Sequence, residues 1–319
     1  MLIRRARRPR RLHGAELDEL VDLYQRAATQ LSVVRTRSPD PVLVDRLSQL
    51  VTRARAAVAG ARDPSWREVG RFLTVTFPAG VWIRRWWIAG AAGGFLLVAI
   101  ALGIWLAHDP GLQSALVPAD KVRTLCDSEF ADYYRSAPAS SFAAKVWTNN
   151  AWVAAGCIAL GALFGLPTVL LLLENALNAG VDGGYLASCG QSSQFFTLIL
   201  PHGMLELTAV FVAAGAGLRL GWRLVDPGPR RRVEALAQEG RGAVGLAIGL
   251  VLVLAISGAI EAFVTPSGLP SWARLAIGAA AEAGFLVYVA VLGRRAVLAE
   301  GEHADDLSAD LTGDLVPVA

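Results

Sequence analysis

The sequence predicts an all-α protein: a polytopic membrane helical bundle of about six transmembrane helices, with a small N-terminal helical region. Three observations predict it. Of 319 residues, 54% are apolar and 18% charged, with a mean hydropathy of +0.44, whereas soluble domains carry about 25% charged residues. The apolar residues fall in long runs. The charged residues fall in blocks between the runs, which the formal net charge of +3 conceals. This composition excludes a soluble two-domain enzyme, a disordered chain and a small disulfide scaffold.

Residues 1–63 read as a cytoplasmic basic arm followed by a helical hairpin. The first 12 residues hold six arginines. With no folded basic face beside them, they read as a topology signal or a weak attraction to anionic headgroups, and nucleic acid is not an expected partner. Leu17, Leu20, Val21, Tyr24, Ala27 and Leu31 recur at helical spacing. Asp40 can cap a second helix that starts at Pro41.

Residues 64–85 read as an interfacial helix. Trp66, Val69, Phe72, Leu73 and Phe77 form an apolar stripe, and Arg84, Arg85, Trp86 and Trp87 follow as an Arg/Trp anchor. The segment is either a lever that seats the first span or a surface that a cytoplasmic partner grips.

Residues 86–293 form the transmembrane domain. Its six expected spans are Trp86–Ala107, Val146–Phe164, Thr168–Ala187, Gln194–Leu218, Ala243–Val264 and Trp272–Leu292, each near the roughly 20 residues that cross the hydrocarbon. The second and third are split at Gly165-Leu166-Pro167, because proline removes a backbone donor and disfavours helix just before it. Charge favours six spans over five. Residues 1–85 carry 17 Arg and 8 acids, and the loop 219–242 carries 6 Arg and 3 acids. Six spans put both on the N-terminal side together with Arg294 and Arg295, the cytoplasmic side by the positive-inside rule. Both ends are then cytoplasmic, in the inner (cytoplasmic) membrane. Residues 294–319 form a tail that has six acids and no basic residue after Arg295, expected to be solvated and disordered.

On this topology Cys126 and Cys189 face outside, where a Cys126–Cys189 disulfide is permitted; a free pair is the alternative. No Cys/His cluster argues for zinc, and no metal or cofactor is expected.

The candidate functional residues are polar groups inside the spans, which are costly there unless they face protein or water. They are Glu174, His202, Glu206, Glu261 and Glu282, with Asn149, Asn150, Asn175 and Asn178 nearby. His202 and Glu206 are four residues apart on one helix face. The expected arrangement is one continuous polar seam, with Asn150, His202 and Glu261 towards the outside and Asn178, Glu206 and Glu282 deeper. Glu174 lies further in and can also be read as snorkelling to the inner interface. Three readings stay open: a network that fixes helix packing, a proton or ion path, and a metal or catalytic centre. The zincin pattern HExxH is absent. Glycine pairs four apart, at 90/94, 161/165, 180/184, 217/221 and 245/249, predict close helix contacts within the chain or between copies in a homo-oligomer.

Thr148-Asn149-Asn150, Gly161–Gly165 continuing to Asn178, Pro201-His202-Gly203 with Leu205-Glu206-Leu207, Gly217–Gly221 and Glu261-Ala262-Phe263-Val264-Thr265-Pro266 together resemble the stage II sporulation protein M family over about residues 64–293. One departure is Asn178-Ala179-Gly180, where the family more often has Asn-Gly. The resemblance implies an integral membrane scaffold or anchor that recruits cell-wall-associated partners in envelope and peptidoglycan remodelling, and no enzyme. It also implies neighbours such as a MoxR-type ATPase or an RDD-type membrane protein, and the arginine content looks like the actinobacterial branch. The alternative is a transporter or channel subunit with an exporter-like fold. His202, Glu206 and Glu282 would line its path, and any ATP use would be that of a separate cytoplasmic ATPase, since the chain has no Walker A pattern.

Overall fold

A computed structural model describes residues 14–37, 41–58, 66–116 and 139–300. The basic arm, Asp40, Cys126 and most of the acidic tail lie outside the described residues. All regular elements among the described residues are helical. The chain divides into two compact units, Met1–Val69 and Gly70–Ala319.

In the first unit, α1 (Gly14–Arg37) packs on α2 (Pro41–Val58). Proline sits at the first helical position of α2, where its missing N–H is not needed. Asp22 and Arg26 pair at helical spacing on the exposed face of α1.

The interfacial segment divides in the middle. It starts with α3 (Trp66–Arg71), on which Trp66 is 89% exposed. A π-helical stretch follows (Phe72–Thr76), in which the Phe77 N–H reaches back to the Phe72 carbonyl. Such a wide turn just before Pro78 accommodates a ring that cannot donate to the ladder. In α4 (Phe77–Ile83), residues 77–81 are all buried. The expected apolar stripe is thus divided, with Trp66 and Val69 exposed. Phe72 is half-buried and Phe77 fully so, because the segment turns into the protein instead of lying along its surface.

The remaining elements of the second unit are α5 (Arg85–His108), the short α6 (Pro110–Leu116), α7 (Ala139–Gly161), α8 (Leu166–Ser188), α9 (Ser192–Val225), α10 (Arg232–Phe263) and α11 (Ser271–Tyr288). A second π-helical stretch (Val289–Gly293) and α12 (Arg294–Glu300) follow. The split between α7 and α8 falls where expected. Phe164 and Gly165 take positive φ of 58° and 74°, and Pro167 enters the first turn of α8.

Contacts between the long helices give their relative directions. Gly161 meets Gly217 and Asn150 meets Glu206, so α7 and α9 run in the same direction. Gly180 meets Ala99 and Gly184 meets Gly103, so α5 and α8 do likewise. Gly278 meets Pro201 and Glu282 meets Thr208, so α11 runs with α9. Phe95 packs edge-on to Phe211, and Ile88 lies at Gly215, so α5 opposes α9. The long helices alternate in direction along the chain.

Among the described residues, four helices are long and apolar enough to cross a membrane: Arg85–His108, Phe195–Val225, Arg232–Phe263 and Ser271–Ala299. The expected count of six is corrected on this point. At 23 residues each, α7 and α8 have the length to cross, about 34 Å, but not the apolarity. Lys145, Thr148, Asn149 and Asn150 interrupt one, and Glu174, Asn175, Asn178 and Asp182 the other. They still lie alongside the four apolar helices in the alternating order.

In lipid, apolar burial does not drive helices together, so close packing and interhelix hydrogen bonds must do so. Small residues supply the first. A Cβ on Gly217 would collide with the Cys157 carbonyl, and one on Gly249 would overlap the Phe77 ring. The pair Gly90 and Gly94, by contrast, meets nothing within 4 Å.

Candidate functional site

Two buried polar clusters occupy opposite ends of the bundle. The first sits where the α4–α5 break, the end of α9 and the start of α10 come together. Arg84 stands at the break, with φ −95° and ψ 6°. It is buried to 1%, and it donates through Nε to Glu239 Oε1 at 2.7 Å and through Nη1 to the Gly80 carbonyl at 2.9 Å. Arg219 Nε lies 3.2 Å and Arg223 Nε 3.6 Å from Glu239 Oε2. Three guanidinium groups therefore converge on one buried carboxylate.

Sequence reasoning missed this cluster. It assigned Arg84 to a membrane anchor, a reading the burial overturns. Arg85 is the exposed member, with its guanidinium 4.9 Å from the Trp82 ring centre and 5.5 Å from that of Trp86. A signal was available. Glu239 precedes Gly242, Ala243 and Leu246 at helical spacing, which sets it on the buried face of α10. Arg219 and Arg223 are likewise one turn apart.

The second cluster contains the predicted residues. His202, Glu206 and Glu261 are each 3% exposed. Asn150 Nδ2 donates to Glu206 Oε2 at 2.7 Å, joining α7 to α9. His202 Nδ1 is 3.2 Å from Thr265 Oγ1, and His202 Nε2 is 3.8 Å from Glu261 Oε1, joining α9 to the end of α10. Thr208 Oγ1 donates to Glu282 Oε1 at 2.8 Å, joining α9 to α11. Arg274 Nη1 donates to the Thr265 carbonyl at 2.9 Å, a contact between α11 and the end of α10 that sequence reading missed. Glu206 Oε1, both Glu261 oxygens and Glu282 Oε2 have no hydrogen bond. Such atoms are costly in a dry interior.

The expected continuous seam is only partly assembled. His202, Glu206, Glu261, Glu282 and Asn150 come together around α9. Asn149, Glu174 and Asn178 are exposed side chains on α7 and α8 and do not join them. The physical reason is helical phase. Ala176 and Gly180 face the bundle, which turns Glu174 and Asn178 outwards.

The chemistry open to the second cluster is narrow. Ser257 Oγ donates to the backbone carbonyl of His202, at 2.8 Å, not to its imidazole, so the pair is not a nucleophile and base. No group of three His, Cys, Asp or Glu among the described residues is placed to hold a metal ion. Cys189 is disulfide-bonded and Cys157 is a buried free thiol; Cys126 lies outside the described residues. A recess is lined by Pro227, Arg230, Arg231, Arg232, Val233 and Glu234, at the α9–α10 connection.

No solved structure matches the chain. An uncharacterized protein of Methanocaldococcus jannaschii is 28% identical over 124 residues, covering 38% of this chain and 70% of that one. Residues 1–60 match a domain of unknown function, DUF8413. Residues 92–266, more than half of the chain and including His202, Glu206 and Glu261, match Stage II sporulation protein M. The chain belongs to the Stage II sporulation protein M family of helical membrane proteins.

Proposed function

We propose that this protein is a non-enzymatic scaffold of the cytoplasmic membrane, with both termini in the cytoplasm, that recruits partners for cell-envelope remodelling. The observation that carries the reading is the use made of the buried polar groups. Most bind one another across helix boundaries: Arg84 and Arg219 to Glu239, Asn150 to Glu206, Thr208 to Glu282, and Ser257 to the His202 carbonyl. A bundle locked at both ends in this way suits an anchor that holds a fixed shape. The two arginines after the last span and the arginine-rich α9–α10 connection favour a cytoplasmic face at the Arg84–Glu239 end.

Membranes carrying the tagged full-length chain, cross-linked and analysed by mass spectrometry, test the proposal. Enrichment of peptidoglycan hydrolases supports it. Recovery of a MoxR-type ATPase with no hydrolase sinks it. Cysteine labelling tests the orientation: Pro229→Cys must react from the cytoplasm and Ser267→Cys from outside.

One observation favours a second reading, a transporter or channel subunit. It is the set of buried carboxylate oxygens on Glu206, Glu261 and Glu282 that have no hydrogen bond. Ion flux into proteoliposomes that is lost in Glu206→Gln, with the fold retained, would establish it.

A further inference from the structure

The acids of α8 are handled differently from those of the two clusters. Glu174, Asn178 and Asp182 are all exposed, at positions i, i+4 and i+8, and so form one row along the outward face of α8. Leu170, Leu173 and Leu177 flank the row, also exposed. Leu172, Ala176, Gly180 and Gly184 occupy the opposite, buried face. Among the described residues, none of the three polar side chains has a hydrogen bond or ion pair, whereas the buried Glu206 and Glu239 and the half-buried Glu282 each have at least one.

The row runs alongside a helix able to span a membrane. Gly180 and Gly184 pack on Ala99, Gly103 and Leu106 of α5, an apolar helix long enough to span. Glu174 stands eight residues from Leu166 and Asp182 six residues from Ser188, or about 12 Å and 9 Å from the two ends of α8. Ionisable groups in lipid are rare and are covered by protein or water.

We propose that this face of α8 docks a transmembrane helix of a partner protein that carries Arg or Lys at two levels, opposite Glu174 and Asp182. Charge complementarity selects this occupant. A second copy of the chain would bring acid against acid at both levels. A purely apolar helix would leave two carboxyl groups and an amide without partners in hydrocarbon. A helix with basic groups eight residues apart answers both carboxylates, and Asn178, which both donates and accepts, adds a central interhelix hydrogen bond. The inference rests on the scaffold reading only for the idea that a partner is held; its test does not need that partner to be known.

The full-length chain is co-expressed in a bacterial membrane with one of three leucine-based transmembrane helices. These carry two Arg eight residues apart, two Glu at the same places, or leucine throughout. The Arg helix is expected to copurify about tenfold above the leucine helix, a ratio that a few such contacts can supply. The double variant Glu174→Gln with Asp182→Asn is expected to reduce capture to the leucine level, while thermal stability in detergent stays the same. Leu177→Trp obstructs the face without altering charge and is expected to have the same effect. Equal capture of the Arg and leucine helices overturns the proposal. So does association between two differently tagged copies of the chain that is lost in the double variant. Absence of hydrolases in the pull-down would defeat the scaffold reading and leave these ratios untouched.

Discussion

Arg84 Nε and Glu239 Oε1 lie 2.7 Å apart, with the arginine 1% and the glutamate 5% exposed, although 155 residues separate them in the chain. This bond ties the entry to the first span to the start of α10. Removing one partner of a buried pair leaves an uncompensated charge and costs about 3–5 kcal/mol. Glu239→Ala and Arg84→Ala are each expected to lower the denaturation midpoint in detergent or nanodiscs by that equivalent. Arg85→Ala, at an exposed neighbour, is expected to change it by less than about 1 kcal/mol. Equal effects at Arg84 and Arg85 would refute the assignment.

The crossing of α7 and α9 makes a second test. A side chain on Gly217 must collide with the Cys157 backbone carbonyl, and backbone cannot move aside as a flexible side chain can. Gly217→Val is expected to destabilise the bundle by more than about 3 kcal/mol or to prevent its recovery from membranes. Gly90→Val and Gly94→Val enter open space and are expected to be tolerated. Expression and gel-filtration profiles of the three variants decide the matter.

The interhelix bond from Asn150 to Glu206 makes a third. Asn150→Ala removes a donor and leaves a buried carboxylate oxygen without it, a loss of about 1–3 kcal/mol. Thermal unfolding of Asn150→Ala, Glu206→Gln and the double variant is expected to show coupling between the two sites of at least about 0.5 kcal/mol. Additive effects would argue against the bond.

The thiols make a fourth. Cys189 is bonded and Cys157 is free and buried. Peptide mapping without reductant is expected to recover Cys189 linked to Cys126, with Cys157 alkylated only after denaturation. A linked Cys157 would overturn this.

Asp109 offers a pH test outside the spans. Its carboxylate accepts from the Leu112 N–H at 3.1 Å and from Trp105 Nε1 at 3.2 Å, capping α6. The Leu112 N–H, followed by the indole, holds its pKa below the ordinary 3.8. The folded value is depressed, so the contribution of the cap is present above pH 3.8 and fades as pH falls through the lower folded value. Exchange of the Leu112 amide, corrected for its intrinsic rate, is expected to gain protection from about pH 3 to pH 5, and Asp109→Ala is expected to remove that dependence.

Fold class was legible because it depends on composition and on the length of apolar runs, which each segment carries by itself. The break at Gly165-Leu166-Pro167 was legible for a similar reason: a missing N–H and a positive φ are local. The fate of the polar residues was not. His202 and Glu206 share a helix face on any reading, but whether Glu174 and Asn178 join them depends on which side of α8 meets α5, and that was decided by Gly180 and Gly184 fitting against Ala99 and Gly103. The same limit applies to Arg84 and Arg85. Adjacent and chemically identical, they are separated only by the break at residue 84, which turns one towards Glu239 and leaves the other against Trp82 and Trp86. By itself the sequence determined a helical membrane protein, its local breaks and its arginine-rich end, since hydropathy and charge are additive along the chain. Only the tertiary structure decided which charges are buried in pairs and which stand on an outer face, since that depends on helix phase and on contacts between residues far apart in sequence.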